Sequence, residues 1–356
     1  MPYREPLFRG LAERLTLRVI YQSAASAGWD QATDWFPQDH AYEAVHLRSS
    51  QRRRTGRTPI VWPRGLEREL EAFGPDVVVV WEYGPSALRT WAWCRRRGIP
   101  LVIFSELTPW AAKALPGAQR RLHRWLAGRA QGFIVASSAA RDRLLAMGVA
   151  PDAVEVSLQS FDAEPIRAAV ASAEPSDGGP VRVLAVGRLV PEKNFGGLIE
   201  AFAELAPGEA ELHVVGTGPL EGELRELAAR LGVAARFSGY VAPDALPAVY
   251  AAADAFVLPS VYEPFGVVVR EAVAAGLPIV CSRTVGAAGD VAVADRNALL
   301  VEQDQLPGAL ARIVRDDELR EALGRASREI DAENGIERSV AAFERAVVRA
   351  RRMFAA

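Results

Sequence analysis

Two glutamates eight positions apart, Glu263 and Glu271, stand in the run Tyr262-Glu263-Pro264-Phe265-Gly266-Val267-Val268-Val269-Arg270-Glu271. A strand is expected to end near Leu258. Pro264 fits the first position of the following helix, where its missing N–H costs nothing. Glu263 then lies just before the helix mouth. Glu271 lies two turns along, roughly 10–12 Å up the axis at 1.5 Å per residue. One carboxylate can meet one end of an extended ligand and the other its far end. The N–H groups of Phe265, Gly266 and Val267 can bind phosphate, and Gly266 allows close approach. Upstream, Val186-Gly187-Arg188-Leu189-Val190-Pro191-Glu192-Lys193-Asn194 reads as a strand end, a glycine turn and a loop before a helix near Phe195. Arg188 can grip anionic oxygens with two N–H groups, and Lys193 acts as a compact point charge. Together with a helix N-terminus they suit a diphosphate.

Only two of the 42 lysines and arginines are lysine, Lys113 and Lys193. The chain thus writes nearly every cation as arginine, and Lys113 has no motif around it. Gly216-Thr217-Gly218-Pro219 also follows a strand and opens a helix, but the next glycine, Gly222, falls one residue late for a dinucleotide fingerprint. No Asp-x-Asp pair offers itself to a divalent cation, and the four histidines lack metal-ligand spacing. No metal and no cofactor are therefore expected.

These residues need strands to carry them. Short, mostly continuous apolar runs at Leu17–Tyr21, Asp76–Trp81, Leu101–Phe104, Gly132–Ala136, Val181–Val186, Glu211–Val215, Ala255–Leu258 and Pro278–Cys281 fit strands buried on both faces. Helical stretches lie between them, among them Ser86–Arg97, Ala118–Ala130, Leu220–Leu231 and Ala309–Asp331. The alternation implies an α/β fold with parallel sheets and right-handed crossovers. The length, 356 residues, suggests two domains. The stretch 162–180, rich in Pro, Gly, Ser and acids, is the linker candidate. The expected division is an N-terminal domain over 1–165, completed by a C-terminal helix over 336–356, and a C-terminal domain over 175–335. The linker and the segment before Ile336 are the natural hinges.

Half of the residues are hydrophobic and 24% are charged, with a net charge of −2, which excludes a disordered or fibrous chain. Residues 1–130 hold 20 basic and 12 acidic residues, while the remainder is acidic. The basic half points to an anionic acceptor or a membrane surface. Nucleic acid is not expected, because no aromatic interleaving accompanies the arginines. Two cysteines cannot make a disulfide framework, no run could span a bilayer, and Met-Pro-Tyr-Arg-Glu starts no signal peptide. A cytoplasmic location follows, with peripheral attachment at the inner membrane face left open. Oligomeric state is not readable.

The chain resembles the retaining glycosyltransferases of family 4 (glycosyl transferases group 1), with the GT-B fold. The resemblance rests on Gly187-Arg188-Leu189…Lys193, Gly216-Thr217-Gly218-Pro219, Glu263 with Glu271, Phe237–Val241 and Asp295–Leu300. It spans about 181–325 and is weak over the first domain. It implies two Rossmann-like parallel-sheet domains facing across a cleft, and transfer of a sugar from a nucleoside-diphosphate-sugar. Arg188 and Lys193 would bind the diphosphate, with the Gly187 and Gly216 loops beside it. The backbone near Val241 would contact the base and Glu271 the ribose. Glu263 would contact the transferred sugar, and Pro264–Val268 would touch sugar and phosphate through amides. The family often has a histidine after a first-domain strand; here Glu106 stands in its place and is expected at the reacting centre or the acceptor. Ser23, in a loop with one glycine where the family often has two, is the loosest assignment. Trp110 joins Trp81, Trp91 and Trp93 as candidates for an acceptor groove. Asp290, in Val285–Asp290, stands near where the family usually has a glutamate. A nucleotide-sugar-binding protein without catalysis, a GT-B sugar epimerase and a nicotinamide-dependent oxidoreductase are the competing readings.

Overall fold

The computed structural model describes residues 4–22, 40–54, 57–174 and 178–355. The chain forms two compact units, residues 1–161 with 336–356, and residues 162–335.

The second unit is built on β9 (Val181–Val186), β10 (Ala210–Val215), β11 (Ala235–Phe237), β12 (Ala255–Leu258), β13 (Ile279–Ser282) and β14 (Ala298–Val301). All pair in parallel, in the order β11-β10-β9-β12-β13-β14. This is the doubly wound arrangement. Chain order reverses between β9 and β12, and ligands of such sheets bind outside the carboxyl ends of the strands at that point. Val183 and Ala185 of β9 and Val257 of β12 join Leu198, Ile199, Phe202, Leu224, Leu310 and Ile313 in one core. Leu184 and Phe256, the alternate residues, are also fully buried, so the strands are covered on both faces.

The first unit carries β1 (Arg18–Tyr21) paired in parallel with β2 (Glu43–His46), and an antiparallel hairpin of β3 (Ser49–Arg54) and β4 (Arg57–Pro63). Its four-stranded parallel sheet is β5 (Val78–Trp81), β6 (Leu101–Ser105), β7 (Gly132–Val135) and β8 (Val154–Val156). The last helix, Ile336–Ala355, belongs to this unit. Phe343 packs edge-on against Phe104 of β6 at 5.5 Å. Ser339 Oγ donates to the Leu158 carbonyl at 3.1 Å, and Ser157 Oγ donates to the Ser339 carbonyl at 3.2 Å.

Several boundaries differ from the sequence expectation. Ala309–Asp331 is two helices, Leu306–Arg315 and Asp317–Glu333, because the Asp316 carboxylate caps the second by accepting the Leu319 N–H at 2.9 Å. The stretch 162–180 includes a helix, Glu164–Ala171, whose Arg167 pairs with Asp331 at 2.6 Å within the second unit. β2, β3, β4, β8, β11 and β14 had not been expected. β2, β8 and β11 are three or four residues long with polar residues among them, and β3 is polar, whereas β4 and β14 carry short apolar runs, Pro59–Pro63 and Ala298–Val301, that lie in a hairpin and at the sheet edge.

The loop after β10 lies against the loop after β9. Gly187 N donates to the Val215 carbonyl and Leu189 N to the Thr217 carbonyl, both at 2.9 Å. A Cβ on Gly216 would meet the Gly187 carbonyl oxygen at 2.0 Å, and one on Gly218 would meet the Leu189 oxygen at 2.4 Å. The Gly-x-Gly pair thus serves backbone-to-backbone packing, and Gly216 also has φ +131°. Gly216→Ala should cost about 2 kcal/mol or more, a fall in Tm of roughly 4–8 °C by calorimetry. An unchanged Tm would contradict the packing described.

Candidate functional site

The loops after β9 and β12 meet at the switch point. After β9, Gly187 turns the chain, Pro191–Lys193 form one 3-10 turn, and Asn194 takes the left-handed region (φ 53°) before the helix Phe195–Phe202. After β12, Val261 N donates to the Glu192 carbonyl at 2.9 Å, tying the two loops together. Across this seam Lys193 Nζ forms an ion pair with Glu263 Oε2. Their side chains are only 12% and 16% exposed, so each charge depends on the other for compensation. The Lys193 stem passes 3.4–3.6 Å from where a Gly187 Cβ would stand, so the glycine makes room for the lysine. Arg188 is 62% exposed and lies 3.6 Å from Glu192. Burial pushes the Tyr262 phenol above its usual value, with Glu192 and Glu263 adding to the shift and Arg188 opposing it. Tyr262 therefore sits within electrostatic reach of all three charged groups.

The segment holding Glu263 is fixed from one side. Glu263 N donates to the Thr284 carbonyl at 3.2 Å, Gly286 N to the Glu263 carbonyl at 3.1 Å, and Ala287 N to the Phe265 carbonyl at 2.8 Å. A Cβ on Gly286 would lie 2.0 Å from the Pro264 oxygen. These bonds hold Glu263–Phe265 extended, and Gly266 then turns at φ 89°. The helix consequently begins at Val267, not at Pro264 as the sequence suggested. Phe265 and Gly266 precede the helix, and Val267 and Val268 supply first-turn N–H groups that lack an intrahelical acceptor. Glu271 lies one turn in, about 6 Å along the axis from Val267, rather than two turns.

Glu271 is half-buried and its Oε2 accepts the Tyr250 hydroxyl at 2.6 Å. Burial pushes its carboxyl up, and the Tyr250 hydrogen bond works against that. Val241 lies in the loop after β11, which is tied to the second glycine loop by a Gly216 N bond to the Gly239 carbonyl at 2.8 Å. The structure thus gathers Gly187, Arg188, Lys193, Gly216, Val241, Glu263, Pro264, Phe265, Gly266, Val267 and Glu271 at the carboxyl ends of β9 to β12. Asp290 lies in the same connection between β13 and β14, beyond the residues that brace Glu263. Tyr250 was not singled out from sequence; its signal was a lone aromatic in the alanine-rich Leu246–Ala251 helix.

Glu106 and Trp110 lie in the first unit, just after β6. Glu106 is paired with Arg4, whose guanidinium stacks over Trp81 at 4.0 Å and Phe104 at 4.6 Å. Sequence reasoning missed the group beneath it. Glu82, after β5, has φ 58°; its carboxylate accepts from Glu106 N at 2.6 Å and Ser105 Oγ at 3.0 Å. Burial pushes the Glu82 carboxyl up to about 7. Trp93 is buried and so is not placed for an acceptor groove; Trp91 is half-buried with its ring edge-on to Trp125, Trp81 is 39% exposed and Trp110 half-buried. Ser23 lies outside the described residues. Arg95–Arg97 end the helix Pro85–Arg97, so they lie at the amino edge of the sheet, away from Glu106. Among the described residues no group of three or more His, Cys, Asp or Glu could hold a metal ion, and no helix is long and apolar enough to cross a membrane.

Lys193→Arg keeps the charge but places a wider fork over Gly187 and in the narrow seam with Glu263. The kcat/KM of a substrate bound at this seam should fall roughly tenfold or more, read by steady-state kinetics. Wild-type kinetics would refute the need for an ammonium.

Comparison with known proteins places this geometry. The family model described as Glycosyl transferases group 1 matches residues 168–330, and that of Glycosyltransferase Family 4 matches residues 7–161. A GDP-mannose-dependent alpha-(1-6)-phosphatidylinositol dimannoside mannosyltransferase of Mycobacterium tuberculosis is 30% identical over 277 residues, 73% of this chain and 70% of that protein. A 2-deoxystreptamine glucosyltransferase of Streptomyces kanamyceticus is 33% identical over 171 residues, 44% of each chain. The match to an uncharacterized glycosyltransferase of Methanocaldococcus jannaschii spans 36% of that protein, and the match to an Agrobacterium fabrum mannosylfructose-phosphate synthase 24%. The crystal structure of Anabaena Alr3699/HepE in complex with UDP superposes with a TM-score of 0.74 at 19% identity, over 96% of this chain and 94% of that one. On this evidence the chain belongs to the GT-B glycosyltransferases of the glycosyl transferases group 1 family.

Proposed function

We propose that the protein transfers a sugar from a nucleoside-diphosphate-sugar to an acceptor, with retention at the anomeric carbon and without a metal ion. The observation that carries this reading is the Lys193–Glu263 ion pair at the switch point, with Arg188 beside it. Cleaving a sugar–diphosphate bond puts negative charge on the leaving group. Lys193, the exposed Arg188 and the N–H groups of Val267 and Val268 can stabilise that charge. Glu271, one turn further along the helix, would hold the ribose, and the loop at Val241 the base. In attack from the face the diphosphate leaves, positive charge develops on the sugar. Glu263 would face that charge. Its pairing with Lys193 weakens it as a nucleophile and favours electrostatic stabilisation over a covalent intermediate.

The acceptor is assigned to the first unit, with Glu106 and Trp110 at the carboxyl edge of its sheet. The basic balance of residues 1–130 supports an anionic or membrane-associated acceptor. The arginines at the amino edge, Arg95–Arg97, suit surface attachment rather than the reacting end.

A panel of nucleotide-sugars tests the reading through release of nucleoside diphosphate. Turnover should persist in EDTA, and NMR of the product should show the donor's anomeric configuration. Binding of a nucleotide-sugar with no release would indicate a binding protein. Inversion, or loss of rate on chelation that a divalent metal restores, would overturn the mechanism.

A further inference from the structure

Tyr250 sits in the helix Leu246–Ala251 and is fully buried, its ring 6.2 Å from that of Phe256 in β12. Its hydroxyl donates to Glu271 Oε2 at 2.6 Å, and the Val268 carbonyl lies at 3.5 Å. Placing a phenol in a core costs free energy unless its O–H finds an acceptor. Here the acceptor is a carboxylate one turn into the helix whose first N–H groups face the proposed diphosphate. Phenylalanine would fill the same space, so packing alone does not require the hydroxyl. Among the described residues the Tyr250 hydroxyl is the partner that the Glu271 carboxylate has.

We propose that Tyr250 is a positioning residue that makes the site selective for ribonucleotide donors. It holds Oε2 of Glu271 and so fixes the rotamer in which Oε1 faces the ribose hydroxyls. The inference rests on the reading of Glu271 as the ribose-binding carboxylate. A charged acceptor held in place distinguishes a ligand that brings a hydroxyl from one that does not, because the deoxy ligand leaves Oε1 desolvated and without a donor. An untethered glutamate samples several rotamers and must be ordered by each ligand that binds. Burial disfavours the ionised carboxylate, and the phenol O–H works against that.

Isothermal titration of the full-length protein tests this, with whichever of UDP, GDP and ADP binds tightest and with its 2′-deoxy and 3′-deoxy forms. The wild type should prefer the ribonucleotide by roughly tenfold or more, the range of a hydrogen bond to a charged group. Tyr250→Phe should narrow that preference to about threefold or less by weakening the ribonucleotide alone, with deoxy affinity and Tm near wild type. A preference left intact in folded Tyr250→Phe, or equal weakening of both forms, would overturn the proposal. Glu271→Asp is the second variant: it keeps a carboxylate but withdraws it from the phenol, and should lose the preference too. Preference retained in Glu271→Asp would overturn the positioning role. Glu271→Gln separates the two levels, since wild-type preference there would sink the ribose reading itself.

Discussion

The ion pair between Lys193 and Glu263 joins the two loops that any ligand at the switch point must meet. Each side chain is mostly buried, so neither charge is tolerable alone. The lysine enters from the loop after β9 and the glutamate from the loop after β12. These are the two strands between which chain order reverses. The pair therefore places a cation and an anion side by side where the sheet opens. Under the function proposed above, a charged diphosphate and a sugar that becomes cationic in the transition state would use both signs in that order.

Backbone packing braces the loops that carry the pair. Gly216 and Gly218 let the loop after β10 lie directly on Gly187 and Leu189, and Gly286 does the same beneath Pro264. Hydrogen bonds from Gly286 and Ala287 keep Glu263–Phe265 out of the helix. The helix start is thus displaced to Val267, and Glu271 comes within one turn of its mouth. These glycines allow the loops to touch backbone to backbone. Arg270, next to Glu271, is buried and donates to the Asn334 carbonyl, so the same helix is also anchored at the end of the second unit.

The first unit follows a different chemistry. At the carboxyl edge of its sheet Glu82 holds the backbone of Glu106 and the hydroxyl of Ser105, while Arg4 neutralises Glu106. The left-handed backbone at Glu82 is strain of the kind a fold keeps only where surrounding contacts impose it. The strongly basic stretch Arg95–Arg97 lies at the opposite edge of the same sheet.

The sequence by itself determined the α/β class, most parallel strands of the second unit and the roster of charged residues at its edge. Continuous apolar runs and the spacing of Arg188, Lys193, Glu263 and Glu271 are local properties, and local properties are written in residue order. The split at Asp316 was also local, but a capping aspartate between two helical patterns reads as one more helical residue. Tertiary structure alone decided that Lys193 and Glu263, 70 residues apart, share one ion pair. It decided that Gly216 and Gly286 exist for loop contact, that the helix begins at Val267, and that Tyr250 holds Glu271. Each depends on two segments distant in sequence arriving at one place. No periodicity records that meeting, because the energy that selects it belongs to the contact and to neither segment alone.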